Sequence, residues 1–274
     1  MNIKEGFKLS VVIAALFVLL TGNAFAEGKH LIIGAAPGPY GDLFKQAVQP
    51  GLEKKGYTVE IKEFSDYVQP NLALANKSID ANIFQHGVYL KKFSTDKGLN
   101  LSPLITVPTA ALGIYSKKYK SVSEIKDGST VTLANDPTNL ARALRYLQAL
   151  GLIKIKADID AAKASEKDIA ENPKNLKIQP VEAAQVPRTL DSVDVAVANG
   201  NYAIVAGIYS TAIDREILAP NYINLIAVRT EDLQSQFVKD IKEIVESPEF
   251  AKVVNDPNKI FKDFQQPELL KAKK

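Results

Sequence analysis

The 274-residue sequence contains two histidines, His30 and His86, and no cysteine. Acid–base and metal chemistry therefore have few centres on which to act. A disulfide framework, a thiolate zinc site, an Fe–S cluster and a cysteine nucleophile are excluded outright. No G-x-S-x-G elbow, H-E-x-x-H helix or G-x-x-x-x-G-K-[ST] loop occurs. Acids such as Asp66 and Asp80 have nothing to distinguish them from cap and turn carboxylates, positions that favour Asp. These residue types point away from an enzyme and call for no cofactor and no metal.

Three segments instead carry residues suited to binding a small zwitterion. Residues 66–90 (DYVQPNLALANKSIDANIFQHGVYL) place Tyr67, Phe84, His86 and Tyr89 in a short stretch of loop and strand end. Such aromatics could fill a small core. With polar neighbours at strand carboxyl ends, they also suit a mixed apolar–polar pocket. Residues 135–144 (NDPTNLARAL) follow an apolar strand and open a helix that Asp136 or Thr138 can cap. Arg142, early in that helix, could aim a guanidinium fork at a carboxylate near the helix start. Residues 197–202 (VANGNY) put Asn199 and Asn201 at the end of another strand, and Asn224 opens INLIAV. Their amides can serve an ammonium or a carboxylate, although asparagine at strand ends also makes turns.

The elements that must position these groups follow from periodicity. Strands are expected at 30–36, 57–64, 79–83, 101–107, 110–115, 130–134, 176–180, 193–198 and 223–228. Helices are expected from Asp42 through Leu52, at 71–75, around Tyr89–Phe93, at 122–126, 140–150, 183–190, 231–246 and 248–254, with one more before Gln265. The β-α-β-α-β opening implies a mostly parallel sheet with helices on both faces, and the pattern then restarts. Two α/β units without a flexible linker suggest lobes joined by short crossings, with a ligand in the cleft between them. Hydrophobic residues make up 46% and charged residues 24%, as in an ordinary globular chain. The balance of 34 Lys+Arg against 31 Asp+Glu is small and spread out, and gives no footprint for nucleic acid.

The amino terminus reads as an address. Lys4 and Lys8 precede the apolar run Leu9–Leu20, and Ala24-Phe25-Ala26 supplies small residues for cleavage. Twelve helical residues span about 18 Å, short of the roughly 30 Å hydrocarbon core. The expected product is an exported, periplasmic protein cleaved after Ala26. It has no later segment of membrane-spanning length and no cysteine to carry a lipid.

Taken together, DYVQPN, IDANIFQH, NDPTNLARAL, ENPKNLKI and ANGNYA resemble the NlpA family, the methionine-binding lipoproteins that act as substrate-binding subunits of ABC importers. The resemblance runs from the first strand to about Val228. It implies a two-lobed periplasmic-binding-protein fold of type II, each lobe a mixed sheet flanked by helices. Residues 27–110 and 226–274 would form lobe 1 and residues 111–225 lobe 2. The implied ligand is a free amino acid, usually methionine. The implied partners are an ABC permease and its ATPase, and the implied state is a monomer. By motif, Tyr67, Phe84, His86 and Tyr89 resemble the wall around the methionine side chain. Arg142 resembles the carboxylate clamp, with Asn139 beside it, and Asn199 and Asn224 resemble contacts to the amino-acid backbone. The sequence departs from the family in lacking the lipobox cysteine and in carrying Gly87-Val88 after FQH. The other reading is a binder of another small amino acid or a methionine dipeptide, acting as a surface antigen or receptor ligand without transport.

Overall fold

A computed structural model describes residues 29–160 and 163–271. The expected signal peptide, residues 1–26, lies outside the described residues. Strand β1 (Lys29–Ala35) buries Leu31, Ile33 and Ala35 and leads through Pro37 and Gly38 into helix α1 (Pro39–Ala47). This helix begins three residues before the expected cap at Asp42. Pro39 is pre-set for the first helical position, where its missing N–H costs nothing, and Gly38 takes φ 121° ahead of it. Asp42 lies in the first turn, near the positive helix end. Pro50 has no N–H to give the preceding turn, so the chain breaks at Val48 and restarts as α2 (Gln49–Lys54).

Strand β2 (Tyr57–Glu63), helix α3 (Gln69–Ala75), strand β3 (Ala81–His86), helix α4 (Gly87–Lys97) and strand β4 (Leu101–Thr106) complete the first unit. All six residues of β3 are buried, and the strand extends to His86 rather than ending at Ile83. The second unit contains β5 (Gly113–Tyr115), β6 (Thr130–Ala134), α5 (Pro137–Ala149), a small hairpin of β7 (Lys154–Ile155) with β8 (Ile169–Glu171), and β9 (Lys177–Val181). Strand β10 (Val195–Ala198), helix α6 (Gly200–Val205) and β11 (Asp214–Arg215) follow. Residues 183–191 form a 3-10 helix rather than the expected α-helix, because Pro187 cannot donate within it. The chain then returns as β12 (Asn224–Arg229), α7 (Gln236–Val245), α8 (Pro248–Val254) and α9 (Glu268–Lys271). The helix expected from Glu231 starts only at Gln236, after a 3-10 turn over Thr230–Asp232.

These strands make two mixed sheets, ordered β2-β1-β3-β12-β4 and β11-β5-β10-β6-β9. In the first, β1 is parallel to β2 and β3, while β12 runs antiparallel to both β3 and β4. In the second, β6, β9 and β10 are mutually parallel and β5 is antiparallel to β10. The carboxyl ends of β1, β3, β6 and β10 all open on the same space, where ligands of open α/β sheets bind. Two segments cross between the sheets. In the outgoing crossing, residues 107–112, the strand expected from 110 begins only at Gly113, because Ala110, Ala111 and Leu112 give their N–H groups to the side chains of Tyr40, Tyr209 and Glu216. The return crossing is 216–223, and Asn224 already pairs with His86 in the first sheet. A boundary at residue 226 would therefore fall inside β12.

One apolar cluster joins Ile33, Phe44, Ile226, Val228, Ile241 and Phe250 around the first sheet. A second packs Ile114, Leu133, Leu144, Leu147 and Val197 against α5. Helix α6 is held close to the first crossing by Gly200, where an added Cβ would meet Ala111 O at 2.6 Å and Ala110 Cβ at 2.7 Å. Those obstacles belong to the chain's own backbone and cannot rotate away. Gly200→Ala is expected to destabilise the fold by about 1–3 kcal/mol, read as a lower urea or thermal midpoint.

Candidate functional site

The eight residues singled out by sequence converge on one cavity between the sheets. Tyr67, Phe84, His86, Tyr89, Asn139, Arg142, Asn199 and Asn224 all line it, around about 330 Å³ of atom-free space. Five lining residues were not in that set: Tyr40, Gln85, Ala110, Gly200 and Asn201. Asn201 carried a signal, since it lies in VANGNY beside Asn199. Gln85 could have been found from its place between Phe84 and His86. Tyr40 and Ala110 reach the cavity only through the packing of distant segments.

The apolar end is an aromatic cluster. Tyr67 stacks on Phe84 with ring centroids 5.8 Å apart and lies 5.0 Å from Tyr202. Tyr89 presents its edge to both Tyr67 and Phe84 at 6.0 Å. Such geometries add to simple area burial. The hydroxyls are directed away from the ring faces: Tyr89 donates to Tyr67 O at 2.9 Å and Tyr67 donates to Asn201 Oδ1 at 2.6 Å. The Tyr67–Asn201 bond reaches from the loop before α3 to helix α6 of the second unit. Behind β3, Asn71, Asn82 and Gln85 form a buried amide network with bonds of 2.7–2.9 Å. It anchors the strand that carries Phe84 and His86 to α3. Asp66 and Asp80 take the structural roles expected of them. Asp66 accepts from Val68 N and Gln69 N, and Asp80 from Ile32 N.

The polar end is ordered by Asn139. Asp136 caps α5 by accepting from Asn139 N at 3.0 Å, and both its oxygens also accept from Asn139 Nδ2. That fixes which way the Asn139 amide points. Its oxygen then accepts from Asn199 Nδ2 at 2.9 Å and meets His86 Nε2 at 3.3 Å. His86 Nδ1 caps α4 by accepting from Tyr89 N, so its Nε2 carries the proton and donates. Burial, and secondarily the charge of Arg142, push the His86 imidazole down to about 3, and it stays neutral. Burial raises Asp136 above the usual carboxylate range, while the Asn139 hydrogen bonds oppose the shift. Asn224 Nδ2 donates to Phe84 O at 3.1 Å. Asn199 Oδ1 is buried and has no hydrogen-bond partner among the described residues. An orphaned buried acceptor lining a cavity is suited to a donor from a ligand.

Arg142 lies in the second turn of α5 rather than at its start, almost fully buried. Its Nε donates to Glu216 Oε2 at 3.1 Å, and its Nη2 pairs with Glu216 Oε1. The expected clamp thus already holds a carboxylate of its own chain. Nothing in the local sequence announces Glu216, which reaches Arg142 only because β11 ends beside α5. His30, the other histidine, is exposed on β1 beside Thr58 and takes no part.

Two sheets joined by two crossings and closed on a cavity with an aromatic end and a polar end define a two-lobed periplasmic-binding-protein fold. The family model described as NlpA lipoprotein matches residues 31–268, and the chain belongs to that family. It is 40% identical over 250 residues to outer membrane lipoprotein 3 of Mannheimia haemolytica, covering 90% of this chain and 94% of the relative. It is 37% identical over 257 residues to the D-methionine-binding lipoprotein MetQ of Escherichia coli K12, covering 92% and 93%. Among solved structures, a nutrient binding protein from Burkholderia cenocepacia bound to methionine matches with a TM-score of 0.79 and 40% identity. That match covers 84% of this chain and 98% of the other.

The neutral, buried His86 has a consequence for acid stability. Its pKa in the fold, about 3, lies below the unfolded value of about 6.5. Below pH 6.5 the unfolded chain therefore takes up a proton that the fold refuses. The stabilisation is complete above pH 6.5 and is lost as pH falls toward 3, amounting to roughly 3 kcal/mol by pH 4. In urea unfolding between pH 7 and 4, His86→Asn, which keeps a cap acceptor, is expected to flatten that slope relative to wild type.

Proposed function

We propose that this protein is an exported solute-binding protein that captures a free amino acid, methionine, and delivers it to an ABC-type importer. The observation that carries the reading is the division of one cavity between the sheets into an aromatic end and an Arg/Asn end. In this reading the ligand carboxylate meets Arg142 through Nη1, the guanidinium nitrogen not facing Glu216. The ammonium meets the orphaned Asn199 Oδ1, with Asn224 beside it. Tyr67, Phe84 and Tyr89 hold the side chain, where a polarizable thioether gains about 0.3–1.5 kcal/mol per aromatic contact. His86 and Asn139 keep the amides oriented across the two sheets, so the cavity is pre-shaped before the ligand closes it. The crossings 107–112 and 216–223 act as the hinge between lobes built on the two sheets. The names of MetQ from E. coli and of the methionine-bound B. cenocepacia structure support the choice of ligand.

Among the described residues, no helix is long and apolar enough to cross a membrane. With no cysteine in the sequence, we place the mature protein free in the periplasm. Osmotic-shock fluid from producing cells is expected to contain it with an amino terminus near Glu27. Recovery in the detergent-extracted membrane fraction would instead mean an anchor.

Calorimetry tests the site directly. Arg142→Ala leaves a carboxylate desolvated without its partner and is expected to weaken methionine binding by about 2–5 kcal/mol. In a thermal-shift panel, methionine is expected to raise the midpoint more than glutamine or lysine and modestly more than leucine. A charged amino acid as the best ligand would overturn the aromatic-slot assignment.

A further inference from the structure

Arg142 is held by two residues of the return crossing, Glu216 and Tyr222. Glu216, the first residue of the return crossing, takes its Nε and Nη2, and both side chains are about nine-tenths buried. The same Glu216 accepts from Leu112 N at 2.9 Å, while Glu216 N donates to Leu112 O at 3.0 Å. Leu112 is the last residue of the outgoing crossing. Tyr222, near the far end of the return crossing, lays its ring against the guanidinium with 5.3 Å from Cζ to the centroid, and it also stacks on Arg145. The edge of His86 meets that same ring at 4.9 Å. One carboxylate therefore touches both crossings and the only arginine that lines the cavity among the described residues.

We propose that Glu216 is a positioning residue for ligand capture. It balances and orients the Arg142 guanidinium in a buried site by occupying Nε and Nη2, and ties that orientation to the hinge. A buried guanidinium without a counter-charge would be costly, and a flexible one would lose geometry on every binding event. Glu216 removes both problems before any ligand arrives. It also leaves the ligand's carboxylate only the Nη1 end of the guanidinium, the Nε–Nη2 edge being taken. This inference rests on the reading of the cavity as an amino-acid site.

The test uses the mature protein with Glu216→Gln and Glu216→Asp, titrated with methionine and with methioninamide, which lacks the carboxylate. Glu216→Gln is expected to weaken methionine by about tenfold to a hundredfold, the span of a charge-assisted hydrogen bond, while methioninamide changes less than about twofold. Glu216→Asp, which keeps the charge, should show the same pattern with a smaller loss. If Glu216→Gln does not fold, this second variant decides. In a double-mutant cycle with Arg142→Ala, the two losses should not add. The 15Nε–1H resonance of Arg142 in ligand-free protein should be sharp in wild type and broadened or shifted in Glu216→Gln. Tighter methionine binding in Glu216→Gln would make Glu216 a competitor, and equal losses for both ligands would make it merely structural. Either result overturns the proposal, as does an Arg142 resonance indifferent to Glu216. If wild-type protein itself takes up no methionine, the reading of the cavity fails, while the resonance still decides the positioning role.

Discussion

The Asn139 side-chain amide ties the two sheets together at the polar end of the cavity. Its nitrogen is committed to Asp136 at the start of its own helix. Its oxygen faces His86 from the first sheet and Asn199 from the second. An amide has two lone pairs on oxygen and two donors on nitrogen, and here each side is used in one sense only. If Asn139 were turned over, three buried partners would lose their bonds together. Such a buried network favours one arrangement, because turning its central member over would leave several partners unsatisfied at once.

From that tie follows the asymmetry of the cavity. His86 is kept neutral because it is buried and serves as both cap acceptor and donor. It therefore contributes a fixed dipole rather than a titrating charge. The full positive charge is left to Arg142, balanced by Glu216 from the return crossing. The aromatic end needs no such balancing, since Tyr67 and Tyr89 send their hydroxyls to Asn201 and to backbone. One end thus presents ring faces and the other presents directed donors and acceptors, which is the division a zwitterion with an apolar side chain requires.

Much of this was legible in the order of residues. The strands β1, β2, β6 and β12 and the helix carrying Arg142 announce themselves through apolar runs or alternation, β6 and β12 as near-continuous runs because both their faces are buried. The eight residues that line the cavity from the candidate set stood out because aromatic and amide side chains cluster at strand ends, and because five short motifs resemble a known family. Element boundaries were less legible where local chemistry competes. Pro39 and Gly38 move a helix start ahead of Asp42, and Pro187 tightens an expected α-helix into a 3-10 helix. Residues 110–112 look like part of a strand by composition, yet their donors go to the side chains of Tyr40, Tyr209 and Glu216 rather than to a neighbouring strand.

What the sequence determined alone was therefore the class of protein: two α/β units, an aromatic set, an arginine, a row of asparagines, and no thiol chemistry. Those features depend on side-chain type and local spacing, which are visible along a single chain. The tertiary structure decided the partnerships. That Arg142 meets Glu216 across 74 residues, that Tyr67 meets Asn201 across 134, and that Tyr40 and Ala110 line the cavity follow from how the two sheets dock. Contacts between residues so far apart carry no periodic signal. They exist only because burial of the two cores brings the crossings together and sets distant polar side chains beside one another there.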